Sequence, residues 1–275
     1  MGALGRVSVN ARYEWKRAVA KKSVLALVIL AVAIQTLVVV SIYEFSRSSG
    51  TTFLGSSNDS MWILAVLGGG AEGAFFVQLI AIIIAGGSVS DEYEHGTADI
   101  ILSKPISRIE YLFGKFLGGF SLLAVVEALI TFVGVVLSIG FFGAQSYLQF
   151  APLMFLAMAY SSLIFFCLSF MFSEVFRRTT LAILLAFAIY IASSVITPIL
   201  ALFYGTVEQA TPTWAATSFP GLLMSELITA RNTVLPPVDT GALYEAALIV
   251  AVYAIIFVII AAYRLLKSDV TKKTD

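Results

Sequence analysis

Apolar and polar positions along this chain fall into long blocks, without a fine alternation. Six blocks are apolar almost throughout: residues 23–43, 72–90, 112–142, 150–172, 180–203 and 243–264. Each is near or above the ~20 helical residues needed to cross a hydrocarbon core of about 30 Å. Continuous apolar runs predict helices, because a membrane β-barrel would alternate apolar and polar residues. Pro152 falls at the start of the fourth block, where a helix tolerates it, and Pro198 near the end of the fifth. The pattern predicts an all-α membrane protein, six transmembrane helices in a single domain over residues 1–275.

The segments outside the blocks differ in kind. Before the first block, in 4–22, Leu4, Val7, Ala11, Trp15, Ala18 and Val19 recur at helical spacing, while Lys16, Arg17 and Lys21 point elsewhere. This predicts an amphipathic helix on the inner leaflet with Trp15 as an interfacial anchor; packing on other protein would satisfy the same pattern. The 44–71 loop is rich in Ser, Gly and Thr and reads as solvated. The 204–242 loop contains TWAATSFPGLLMSELITA, too apolar for a free loop and too short to span. A re-entrant hairpin broken at Pro220-Gly221 and a cap packed over the spans both account for it.

Composition agrees with the blocks: 59% of residues are hydrophobic and 12% charged, against about 25% charged in soluble domains. The seventeen basic and seventeen acidic residues cancel, so the net charge is silent and the distribution speaks. With the N-terminus in the cytoplasm, fifteen of the seventeen basic residues fall inside, and only Arg47 and Arg231 outside. That asymmetry predicts cytoplasmic N- and C-termini in a cell membrane, a prokaryotic plasma membrane by expectation. The polar, basic N-terminus has no apolar core of a cleavable signal, so the first span is expected to act as the signal anchor.

Several chemistries lack their residues. No G-x-x-x-x-G-K-[ST] phosphate loop occurs, and no H-E-x-x-H or G-x-S-x-G. The single His95 has no second His or Cys with which to share a metal, and Cys167, within an apolar run, reads as a small buried hydrophobe. No catalytic residue, no metal site and no basic surface for nucleic acid is expected.

The segment between the second and third blocks is the exception to this plainness. Residues 94–108 read EHGTADIILSKPISR. Gly96 permits a sharp reversal, Thr97 can cap a short helix over 98–102, and Asp99 sits near its positive end. Ser103-Lys104-Pro105 stops that helix. Ser107-Arg108-Ile109-Glu110 is a capping box that starts the next one. From Arg108 to 142 that helix would be about 50 Å long, so its first turns should stand outside the membrane core. Ile100, Ile101 and Leu102 then face several directions below the membrane. An exposed apolar patch of this kind marks a partner or a lipid surface without choosing.

The same residues carry a family resemblance. Glu92-Tyr93-Glu94-His95-Gly96-Thr97, Ile101-Leu102, Ser103-Lys104-Pro105-Ile106-Ser107-Arg108 and Gly114-Lys115 follow in the order of the signature of ABC-2 type transporter permeases. The likeness is dense over about 24 residues and architectural elsewhere. It implies that the 98–102 helix is a coupling helix, with Glu92, Gly96, Thr97, Ile100, Ile101, Leu102, Ser103, Pro105, Ser107 and Arg108 as coupling residues. It implies separate ATP-binding cassette subunits carrying ATP and Mg, a second permease subunit, and a dimer forming the substrate pathway, with export the expected direction. It would make the turn at 173–179, with Arg177 and Arg178, a secondary contact; ordinary inside-positive anchoring explains the same residues.

Within the spans, Glu127 is the prominent polar residue. A carboxylate at mid-membrane costs at least ~3 kcal/mol on insertion scales, so it is a candidate for the substrate pathway, or a neutral acid hydrogen-bonded to a Ser, Thr or Tyr. Gln78 and Gln35 are weaker candidates of that kind. Ala81/Ala85, Gly114/Gly118 and Ala182/Ala186 permit close helix packing. Two other functions fit a six-span chain: an ion-coupled secondary transporter using Glu127, and a membrane scaffold.

Overall fold

The computed structural model describes residues 3–48, 71–103, 106–143, 146–229 and 240–267. Among them there is no strand. The helices are α1 (Ala3–Val19), α2 (Lys22–Ser48), α3 (Ala71–Gly86), α4 (Ser90–Glu94), α5 (Thr97–Leu102), α6 (Arg108–Phe142), α7 (Ala151–Phe176), α8 (Thr179–Tyr204), α9 (Pro212–Thr229) and α10 (Thr240–Lys267). Short 3₁₀ turns precede α7 and α9. Six helices, built on α2, α3, α6, α7, α8 and α10, are long and apolar enough to cross a membrane. The second is shorter than expected: α3 ends at Gly86, and α4 follows as a separate turn. Most of the 44–71 loop lies outside the described residues.

α7 is the axis of the bundle, with α3, α6, α8, α9 and α10 packed around it. Its Ile164, Phe165, Phe166 and Phe170 are fully buried. Phe116 and Phe120 of α6 meet Phe166 and Phe170 edge to face at 5.4–5.6 Å, the arrangement the ring quadrupoles favour. Small residues bring the helices close: Ala81, Ala85, Ala182 and Ala186 are all fully buried. Cys167 is buried in the same core. By contrast α8 and α10 each present a long row of exposed aliphatic residues, Leu184 to Leu202 and Leu248 to Ile259 among them. In a bilayer such faces need no covering.

One of the alternatives for the 204–242 segment is set aside, and α1 turns a polar face inward. The 204–242 segment does not break at Pro220-Gly221, because α9 runs through both as one helix against α7, α8 and α10. Pro220 and Met224 are buried in that packing, which offsets the hydrogen bond the proline forgoes. The cap reading holds in place of the hairpin. In α1, Val7 and Ala11 are half-buried, but Trp15 and Val19 are exposed with Val9 and Tyr13, while Asn10 and Glu14 are buried. The inward face is polar because it meets a polar groove on α6.

Candidate functional site

The site is built where α1, α4, α5, the start of α6 and the ends of α7 and α10 gather. Its backbone frame is local. Gly96 adopts φ +67, the left-handed region open to glycine. Ser107 Oγ accepts from the Glu110 amide at 3.2 Å and the Glu110 carboxylate accepts from the Ser107 amide at 2.9 Å, closing the capping box. Between them hangs α5, six residues long. Thr97 is its first residue, and its hydroxyl donates to the Glu92 carbonyl at 3.3 Å, tying α5 back to α4. Ser103 donates to the Ile100 carbonyl at 2.9 Å.

Ile100 stands 64% exposed on α5. The side chains of Ile101 and Leu102, and Lys104 and Pro105 altogether, lie outside the described residues. Arg108 donates to the carbonyls of Leu265 at 2.9 Å and Leu266 at 3.1 Å, so it binds the last turn of α10, where a helix end carries partial negative charge.

Glu92 departs from the expectation for a coupling surface. It is 2% exposed, with Lys115 and Tyr111 of α6 as partners: the Tyr111 hydroxyl donates to one oxygen at 2.5 Å and the Lys115 ammonium binds the other. The Lys115 ammonium also binds Glu14 of α1 at 2.6 Å. Arg17 extends the cluster, reaching Glu14 at 2.7 Å and the carbonyls of Gly87 and Ser88 at 2.8 and 2.7 Å. Burial opposes the Arg17 charge, and Glu14, Glu92 and Asp91 outweigh it, holding its pKa above the ordinary arginine value. Lys21 binds Asp91 at 2.5 Å. Three basic and three acidic side chains thus fasten α1 and the turn after it to α4 and α6, and each buried charge has an opposite charge in contact, as burial requires.

Glycine makes this seat possible. A Cβ on Gly118 would lie 2.6 Å from the Ala11 carbonyl oxygen, and one on Gly114 2.8 Å from the Asn10 Cβ. Asn10 donates to the Tyr111 carbonyl at 3.0 Å, and Arg6 pairs with Glu110 at 2.7 Å. Sequence reading found Gly114, Gly118 and Lys115 but not their partner. The available signal was Glu14, a carboxylate one helical turn from Asn10 on a face otherwise read as apolar.

The turn between α7 and α8 is also part of the site. The Ser173 hydroxyl accepts from the amides of Val89 and Ser90. Thr179 donates its amide to Glu94 at 2.9 Å and its hydroxyl to Asp91 at 2.5 Å. Arg177, in the left-handed region at φ 52, lies over the Tyr93 ring at 4.2 Å and 3.6 Å from Glu174, itself fully buried.

Glu127 and Gln78 lie away from this assembly. Both are buried. Among the described residues neither carboxylate oxygen of Glu127 has a hydrogen-bond partner, nor does the Gln78 carbonyl oxygen. Ser162 of α7 is within electrostatic reach of Glu127, but its hydroxyl donates to the Ala159 carbonyl at 3.0 Å. Among the described residues the Gln35 carbonyl oxygen has no partner either. Among the described residues no group of three His, Cys, Asp or Glu side chains is placed to hold a metal.

Comparison with known proteins agrees with the signature and the six spans. No curated protein matches the chain. The profile of the ABC-2 family transporter proteins matches residues 9–270, nearly the whole length. The chain, with its six apolar helices, therefore belongs to the ABC-2 transporter family and is a multi-pass membrane permease of the ATP-binding cassette class.

Proposed function

We propose that this chain is the permease subunit of an ABC transporter whose ATP-hydrolysing subunits are separate polypeptides, and that α5 is the helix through which they drive it. The observation that carries this reading is the presentation of α5. It hangs between the Gly96 reversal and the Ser107 cap, and holds Ile100 outward while α4 behind it is clamped by buried charge. Gly96, Thr97, Ile100, Ile101, Leu102, Ser103, Pro105, Ser107 and Arg108 form or frame the docking surface. Glu92 supports it from behind. ATP and Mg belong to the partner subunit, whose nucleotide-driven movement α5 would receive.

A second permease copy or homologue completes the substrate pathway, and the exposed aliphatic faces offer it ample apolar surface. Export is the expected direction. The fifteen-to-two distribution of basic residues favours placing α4, α5 and both chain ends in the cytoplasm of a prokaryotic cell.

The test is Ile100→Asp in the complex with a co-expressed ATP-binding cassette subunit. Burying an aliphatic side chain is worth roughly 1.5–3 kcal/mol, and a carboxylate in a dry groove reverses that sign. The variant should insert normally and lose co-purification with the ATPase subunit, or keep hydrolysis while transport stops. Normal retention and normal transport would remove α5 from the coupling path.

Glu127 supports a second reading, an ion-coupled transporter, because a buried carboxyl with no hydrogen-bond partner among the described residues is the kind of group such a mechanism would use.

A further inference from the structure

Helix α4 is a single turn of five residues, too short to hold its own position. What fixes it is the set of groups that grip it. One side of the grip is Glu92 in the Lys115–Tyr111 pocket of α6. The other faces the turn between α7 and α8, and it involves every remaining residue of α4.

The Ser90 amide donates to Ser173, and the Ser90 hydroxyl lies 2.8 Å from that of Thr179. Asp91 accepts the Thr179 hydroxyl, Glu94 accepts the Thr179 amide at 2.9 Å, and Tyr93 lies under Arg177. Thr179 is the first residue of α8, and its amide is one of the donors a helix start leaves without an internal partner. Arg178, at the N-cap position, makes no side-chain cap. The start of α8 is therefore capped in trans by the Glu94 carboxylate, with Asp91 beside it on the Thr179 hydroxyl, where the helix dipole favours negative charge. Arg177 complements this: a non-glycine residue at positive φ is sustained by its surroundings, here by Tyr93 and Glu174.

We infer that Arg177-Arg178-Thr179 is a second transmission element, through which α4 moves α8 when α5 is displaced, in parallel with the route through Lys115 into α6. The inference rests on the coupling role proposed for α5. Thr179 acts through α4 and is a positioning residue; nothing is asked of it at the nucleotide or the substrate. Inside-positive anchoring explains the two arginines but not the hydroxyl and amide of Thr179, which carry no charge and are aimed at two carboxylates.

The experiment uses the full complex of permease and co-expressed ATPase subunit, with Cys167 replaced by alanine. Spin labels are placed on cysteines at Leu202 and Tyr244, exposed residues near the outer ends of α8 and α10. The label distance is measured without nucleotide and with a non-hydrolysable ATP analogue. The parent should show a nucleotide-dependent shift. Thr179→Val and Glu94→Gln should each retain the ATPase subunit and lose at least half of that shift, and Thr179→Ser should restore it.

A purely structural role would not distinguish serine from valine in this way while subunit binding stays intact. A full shift in Thr179→Val, or no shift in a parent that holds its ATPase subunit, overturns the inference. Failure of the coupling reading would appear separately, as an Ile100→Asp complex that binds its ATPase subunit and shifts like the parent.

Discussion

The Lys115 ammonium meets the Glu14 carboxylate at 2.6 Å with neither side chain more than 1% exposed, across 101 residues of sequence. Because Lys115 also neutralises Glu92, one cation holds two helices to a third. Removing it strands the Glu92 carboxylate on the Tyr111 hydroxyl in a dry seam, while Glu14 keeps Arg17; breaking a buried pair in this way costs about 3–5 kcal/mol. Lys115→Met should therefore lower the thermal midpoint of the detergent-purified protein sharply, and Glu14→Gln much less, since Lys115 then keeps Glu92. Equal midpoints for Lys115→Met and the parent would show that the seam contributes nothing to stability.

Gly118 lies directly under α1, with the Ala11 carbonyl where its Cβ would be. Gly118→Leu should push α1 out of its groove and expose the 3–19 segment. Limited proteolysis reads this directly: the variant should be cut in α1 several-fold faster than the parent, with α7 untouched. Cleavage at the parental rate would mean that α1 is held by its ion pairs alone.

Orientation is testable with single cysteines in a Cys167→Ala background. Thr240→Cys, at the exposed start of α10, should react with a membrane-impermeant thiol reagent in intact cells. Ser103→Cys, exposed beside α5, should react only after the cells are opened. The reverse pattern would put α5 on the wrong side of the membrane for any cytoplasmic ATPase.

Glu127→Gln keeps the shape and removes the titratable proton. If the carboxyl takes part in substrate or ion movement, transport or substrate-stimulated ATP hydrolysis should fall at least tenfold while expression and assembly stay near parental levels. Parental transport by the glutamine variant would make Glu127 a neutral element of packing.

The spans were legible because each is a local property: an apolar run of sufficient length, with its capping box at Ser107 or its early proline at 152. The α6 boundaries follow from the sequence for that reason, from the S-x-x-E start to the last apolar residue. Gly96 was legible as a reversal, and its φ agrees. What the sequence concealed is relational. Glu14 and Lys115 are unremarkable alone, and no local pattern pairs residues so far apart. Nor does the sequence show what the α1 face carrying Asn10 and Glu14 would meet, because the groove on α6, with its charge and glycines, forms only in three dimensions. Pro220 leaves a break and a packed helix equally open, because its local cost is known and its packing is not written in the sequence.

The seating of α1 also has a consequence in time. The helix is synthesised before α6, and its groove there is made 101 residues later. At about 5–20 residues per second, the nascent α1 waits some 5–20 s before Lys115 and Gly118 exist to receive it. Docking of α1 thus waits on the synthesis of α6, and it joins this helix to one made well after it.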